Sequence, residues 1–250
     1  MTLYLGIITA YGAVAVLAWL AALLYPRLIP ATAPTFVDHR WKTAGLFALA
    51  TAGMATLSFM AGRGFLVTGD SAAVAVLNQI VIFAPVIAYA LYCRTPALVL
   101  VPRKNTARSL AIGLGIAILG LTAFYSSIGR WDDLPLLGST VLSGEAISIA
   151  ARSLLRCLFV GAFLALVAEG WSKRTALLLP GLAIALLQLP ALFEDGFSAG
   201  WLGLLVAHVV LVAGLLSAIL ATRNIVWFWP VLAVLNMMQF SVMQDTVGPR

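Results

Sequence analysis

The chain has 250 residues, of which 62% are hydrophobic and 10% charged, with a mean hydropathy of +1.05. A soluble domain of this size has too little interior to hide that much apolar surface, so lipid is the solvent for most of the chain. The formal net charge of +6 then reads as membrane orientation, with contact to anionic lipid, and nucleic acid is not an expected partner.

Spanning a hydrocarbon core of about 30 Å takes roughly 20 helical residues. Eight such segments are predicted, near 3–25, 43–61, 71–92, 109–128, 143–167, 176–193, 199–221 and 225–243. Helices are expected because lipid cannot satisfy backbone groups, and these runs lack the alternation of barrel strands. The predicted fold is an all-α polytopic transmembrane bundle forming one membrane domain over 1–250. Its N-terminal four-helix portion is 1–142 and its C-terminal four-helix core is 143–250.

The first segment has no basic residue before it, and its apolar run is longer than a signal h-region, so it is expected to remain as an anchor. Cys93 closes the third segment and Cys157 lies within the fifth, which argues against a disulfide between them. An inert thiol or a palmitoylation site are the two readings of Cys93. In 93–108, Pro96 and Pro102 bracket "ALVLV", which reads as an interfacial segment. Small residues four apart, Ala111 with Gly115 and Gly203 with Ala207, permit close helix packing. In "GRWDDLPLLG", Trp131 suits a membrane interface and the Asp132–Asp133 pair reads as a solvated turn.

Basic residues set the predicted orientation. Arg27, Arg40, Lys42, Arg94, Arg103, Lys104, Arg108, Lys173, Arg174 and Arg223 follow the odd-numbered segments, against Arg63, Arg130 and Arg250 on the opposite side. The first set is therefore expected in the cytoplasm and both termini outside it.

Ionisable groups inside spans are the informative ones, because each needs a partner or costs several kcal/mol. The fifth segment places Glu145, Ser148, Arg152 and Arg156 at helical spacing on one face. That face reads either as a structural clasp or as part of a site. The sixth segment adds Gln188, the seventh His208, and the eighth Asn236, Gln239 and Gln244. His208 has no companion histidine in a span, and His39 lies in a loop, so neither a metal site nor a cofactor is expected. No His-Glu-x-x-His or Gly-x-Ser-x-Gly motif is present.

From Ile149 to Phe240 the order of features resembles the CPBP family, the CAAX-protease and bacteriocin-processing (Abi) proteins. That family carries Glu-Glu-x-x-x-Arg on one helix and Phe-x-x-x-His, often continuing Leu-Pro, on a later one. Its last helix has a Trp-Pro start, then a His, then an Asn or Asp four residues on. Here "ARSLLRCLF" keeps the arginine as Arg156, with Ala151 and Arg152 in the glutamate positions. "IALLQLPAL" has Ile184 for the Phe and Gln188 for the His, followed by the same Leu-Pro. "ATRNIVWFWPVLAVLNMMQ" has Trp229 and Pro230 at the start, Leu235 at the His (Val234 after a one-residue shift) and Gln239 at the last polar position. The resemblance implies an intramembrane protease fold in a bacterial cytoplasmic (inner) membrane, with its catalytic positions emptied. Leucine or valine can neither activate water nor hold a metal. Three functions stand on this reading. One is a catalytically degenerate binding, scaffold or accessory subunit of a membrane complex. Another is an active endopeptidase using Glu145 and His208 as displaced groups. The third is a small transporter or lipid-handling protein lined by the polar face of the fifth segment.

Overall fold

The computed structural model describes residues 2–24, 40–67, 69, 71–93, 105–170 and 199–247. Helix α1 is Thr2–Leu24, α2 Arg40–Gly62, α3 Ala72–Cys93 and α4 Thr106–Ile128. A 3-10 turn at Trp131–Asp133 leads into the short α5, Leu134–Val141; α6 is Gly144–Gly170, α7 Ala199–Thr222 and α8 Phe228–Val247. Five stretches are long and apolar enough to cross a membrane: Leu5–Leu24, Lys42–Gly62, Ala72–Cys93, Thr106–Ile128 and Gly144–Leu164. Val209–Thr222 and Phe228–Val242 add two shorter apolar stretches. The chain is thus a polytopic integral membrane protein, all-α among the described residues. Seven of the eight predicted segments correspond to these helices, and the sixth, 176–193, lies outside the described residues. So does the "ALVLV" segment.

Helix directions follow from which residues meet. Gly6 lies under Phe124 and Ile128 while Gly120 lies under Val14, so α1 and α4 are antiparallel. Gly12 faces Leu211, and the Trp19 indole donates to the Gly214 carbonyl (3.2 Å) and Ser217 Oγ (2.9 Å), so α1 and α7 are parallel. Ser109 meets Asn224, and Gly120 approaches Leu235, so α4 and α8 are parallel. Gly144 touches Ala72 at one end of α6 and α3. Toward the other end Phe47 of α2 packs on Tyr89 of α3 and on Phe159 and Phe163 of α6.

These pairings join two apolar clusters. The larger gathers α1, α4, α7, α8 and one side of α6, with Val14, Phe124, Ile219, Trp227, Leu235 and Met238 fully buried. The smaller holds Phe47, Ala50, Tyr89, Ala90 and Ala162, between α2, α3 and the other side of α6. Helix α6 is the shared wall. Where α2 crosses α3, Gly53 faces Pro85, whose ring a Cβ would approach to 3.2 Å. Proline leaves a carbonyl of α3 without its ladder bond, and the glycine makes room for α2 to pack on the Pro85 ring.

The alternation of directions also sorts charge. Arg40, Lys42, Arg108 and Arg223 fall at one end of the bundle, and Arg63, Arg130, Asp132, Asp133 and Glu145 at the other. At that second end the expected solvated turn is more ordered than the sequence suggested. Arg130 Nε pairs with Asp133 Oδ2 at 2.7 Å, and Asp133 and Pro135 begin α5, because proline's fixed φ suits a first helical turn. Gly129 closes α4 in the left-handed region (φ 68°), its N–H donating to the Tyr125 carbonyl at 2.9 Å.

Candidate functional site

Among the described residues, the charged side chains well inside a span are Arg152 and Arg156, both on α6 and both exposed. At 1.5 Å per residue, Arg152 lies about 12 Å and Arg156 about 18 Å along the axis from Gly144. Their guanidinium groups lie within electrostatic range of each other. Neither makes a hydrogen bond or ion pair among the described residues. Glu145 sits exposed in the first turn of α6, two turns before Arg152.

Arg152 forms one wall of a cavity of about 340 Å³ at the acidic end of the bundle. Ala61, Gly64, Leu66 and Val67 from the end of α2 and its loop, and Ala75, Asn78, Gln79 and Ile82 from α3, complete it. Asn78 Nδ2 donates to the Val67 carbonyl at 2.9 Å and ties the loop to α3. The other end of the same amide, Oδ1, is buried with no partner among the described residues.

Of the remaining predicted positions, Gln239 comes near Arg156, both lying by the Tyr11 hydroxyl of α1, and the others scatter. Ala151 is partly buried on α6. Leu235 is fully buried in the larger apolar cluster, with its side chain toward Gly120 of α4. One turn later Gln239 Nε2 makes a long contact, 3.5 Å, with the Tyr11 hydroxyl of α1. Positions 235 and 239 thus turn toward α1 and α4, while Arg152 faces the cavity on the far side of α6. Gln188 lies outside the described residues, as does the side chain of His208 on α7. Among the described residues no three His, Cys, Asp or Glu side chains come together.

The polar contacts joining α6 to α8 come from residues not singled out on α6. Asn236 Nδ2 donates to the fully buried Ser153 Oγ at 3.0 Å, and the Trp229 indole donates to the Ala150 carbonyl at 3.0 Å. Ser153, one position after Arg152, supplies the α6 side of this link. Asn78 and Gln79 were also legible, as an amide pair inside "VLNQIVIF", though without charge to draw attention. Compared with protein-family models, with curated proteins and with solved structures, the chain matches none of them.

Proposed function

We propose that this protein is a non-catalytic membrane subunit, CPBP-like over 149–240, that works by binding another membrane protein. The observation carrying this reading is Leu235. The position where the resemblance calls for a histidine is filled by an apolar side chain, fully buried and turned toward α4. A single substitution there would put an imidazole into a dry core, away from Arg152. The paired-carboxylate position is a guanidinium, which stays protonated and repels a cation. A divalent ion about 6 Å from one such charge is opposed by roughly 5 kcal/mol at an effective dielectric near 20. The described residues at these positions therefore do not fit a metal or an activated water.

Arg156 supports the binding half of the proposal. It is exposed about 18 Å along α6, too deep for its side chain to reach bulk water with ease. A guanidinium at that depth is stabilised by acceptors on neighbouring helices; the Tyr11 hydroxyl of α1 lies within its electrostatic range, and a partner's carboxylate would supply the opposite charge that this hydroxyl lacks. The test is the size of the protein extracted in mild detergent from its native membrane. The parent and Arg156→Lys are expected to run as a complex larger than the 26.4 kDa chain, and Arg156→Glu as the single chain. A parent of single-chain size, or a complex untouched by Arg156→Glu, would contradict the proposal.

A further inference from the structure

Arg156 is exposed near the middle of α6, about 18 Å along the axis from Gly144 and about 21 Å from Gly170. Helix α6, 27 residues long, measures about 40 Å, which exceeds a hydrocarbon core of about 30 Å by roughly 5 Å at each end. The Arg156 Cα then lies about 13 Å below the nearer headgroup boundary, farther than an arginine stem can lift its guanidinium. Among the described residues, the groups within its electrostatic range are the Arg152 guanidinium, a like charge, and the Tyr11 hydroxyl, which is neutral. The whole sequence has nine carboxylate side chains, and none falls in the middle of a span. Glu145 and Glu169 stand at opposite ends of α6, and Asp245 is two residues from the end of α8. Asp132 and Asp133 form the turn after α4, and Asp38, Asp70, Glu194 and Asp195 fall outside every predicted span.

We infer that the partner received at Arg156 is a transmembrane helix of a different protein, carrying an Asp or Glu near the middle of its span. A guanidinium takes a carboxylate through two parallel N–H donors, and its planar fork is suited to that geometry. Neutral amides, Gln239 of this chain included, can accept a hydrogen bond but bring no charge to offset a cation in lipid. The carboxylate gains equally, because an ionised acid alone in a hydrocarbon core is as costly as the arginine. A second copy of this chain does not meet the demand, since its carboxylates stand at the same loops and span ends. The nearest on α6 is Glu145, about 16 Å along the axis from the Arg156 level. Lipid phosphates do not meet it either, because they stay at the headgroup boundary. The assignment rests on the binding reading of Arg156 and adds the chemistry of what binds there.

The test uses the full-length protein in phosphatidylcholine liposomes with a synthetic probe, a lysine-flanked Leu-Ala helix of about 20 residues with one central Glu. Association is read by energy transfer between labels on protein and probe. The central-Glu probe is expected to bind about tenfold more tightly than the same helix with a central Gln, the margin of a charge-assisted hydrogen bond over a neutral one. Moving the Glu two turns toward either end should erase that margin in the unaltered protein, a comparison that needs no variant to fold. Arg156→Gln should erase it as well, Arg156→Lys should keep it, and Arg108→Gln, at one end of the bundle, should leave it unchanged. Equal binding of the Glu and Gln probes, a margin indifferent to the position of the Glu, or a margin kept by Arg156→Gln would each overturn the carboxylate assignment. Differently tagged copies of the chain, extracted together from the native membrane in mild detergent, should not co-purify through Arg156. If the complex lost in Arg156→Glu held two copies of this chain and nothing else, the partner assigned here would be wrong while the binding reading stood. A parent of single-chain size would instead defeat the binding reading itself.

Discussion

Gly113→Ala is the sharpest perturbation the packing offers. An added Cβ would stand 2.0 Å from the Trp227 carbonyl oxygen, 2.8 Å from its carbon and 3.0 Å from its Cα. A carbon–oxygen contact relaxes near 3.3 Å, so α4 and the α7–α8 turn would have to part by about 1.3 Å. The obstacle is backbone, and no rotamer change relieves it. Trp227 is fully buried, its indole donating to Thr222 Oγ1 at 3.1 Å, and Asn224 beside it donates to Ser109 Oγ at 2.9 Å. Asn224 also accepts from the Val226 N–H at 2.8 Å, so the turn moves as a unit. Overpacking of a tight core costs about 1–3 kcal/mol, and a backbone clash belongs at the upper end. Better helix propensity returns up to about 1 kcal/mol, which leaves a net loss near 2 kcal/mol. Gly115→Ala, two residues on, is the control: nothing lies within 4 Å of its added Cβ, so it keeps the propensity gain without the clash. Thermal unfolding of the detergent-purified proteins should rank Gly115→Ala at or above the parent and Gly113→Ala several degrees below it. If Gly113→Ala melted with the parent, the contact between α4 and the α7–α8 turn would be wrong, and with it the parallel arrangement of α4 and α8.

Three more outcomes are expected. A double-mutant cycle of Asn236→Leu and Ser153→Ala, read by unfolding in detergent, should give a coupling of about 0.6 kcal/mol, the usual size of a hydrogen bond between membrane helices. A coupling of zero would remove the α6–α8 contact from the account. Reporter fusions after Arg108 and at Arg250 should signal from opposite sides of the membrane, the first from the cytoplasm; a cytoplasmic C-terminal fusion would break the eight-segment topology. Elemental analysis of protein purified without chelator or histidine tag should find zinc well below one per chain, and about one zinc lost in His208→Ala would show a live site with other ligands.

Spans were legible in the sequence because each is a run of about 20 apolar residues, and length alone separates them from buried soluble helices. The α5 helix was not, since its start rests on the Arg130–Asp133 pair and Pro135, a local arrangement that reads equally as a turn. Helix-to-helix pairing was out of reach for a different reason. Ser109 and Asn224 are separated by 115 residues, and nothing in either neighbourhood names the other. Rotation of α8 about its axis decided the candidate site. The motif frame put Leu235 in line with Ala151 and Arg152, but Asn236 is the residue that turns to α6, and Leu235 turns to α4. Hydropathy says little about that rotation, because α8 is apolar over most of its circumference. The cavity was half legible. Arg152 stood out as a charge in a span, whereas Asn78 and Gln79 are neutral amides whose place on the cavity wall depends on how α3 meets the end of α2.

The most direct test of the non-catalytic reading is a cleavage assay on the protein reconstituted in liposomes, with a prenylated CAAX peptide as substrate. Glu145→Gln and His208→Ala, which remove the displaced groups an active enzyme would need, serve as internal controls. The account predicts that parent and both variants turn over substrate no faster than protein-free liposomes. Cleavage by the parent that either variant abolishes while keeping its melting temperature would contradict it.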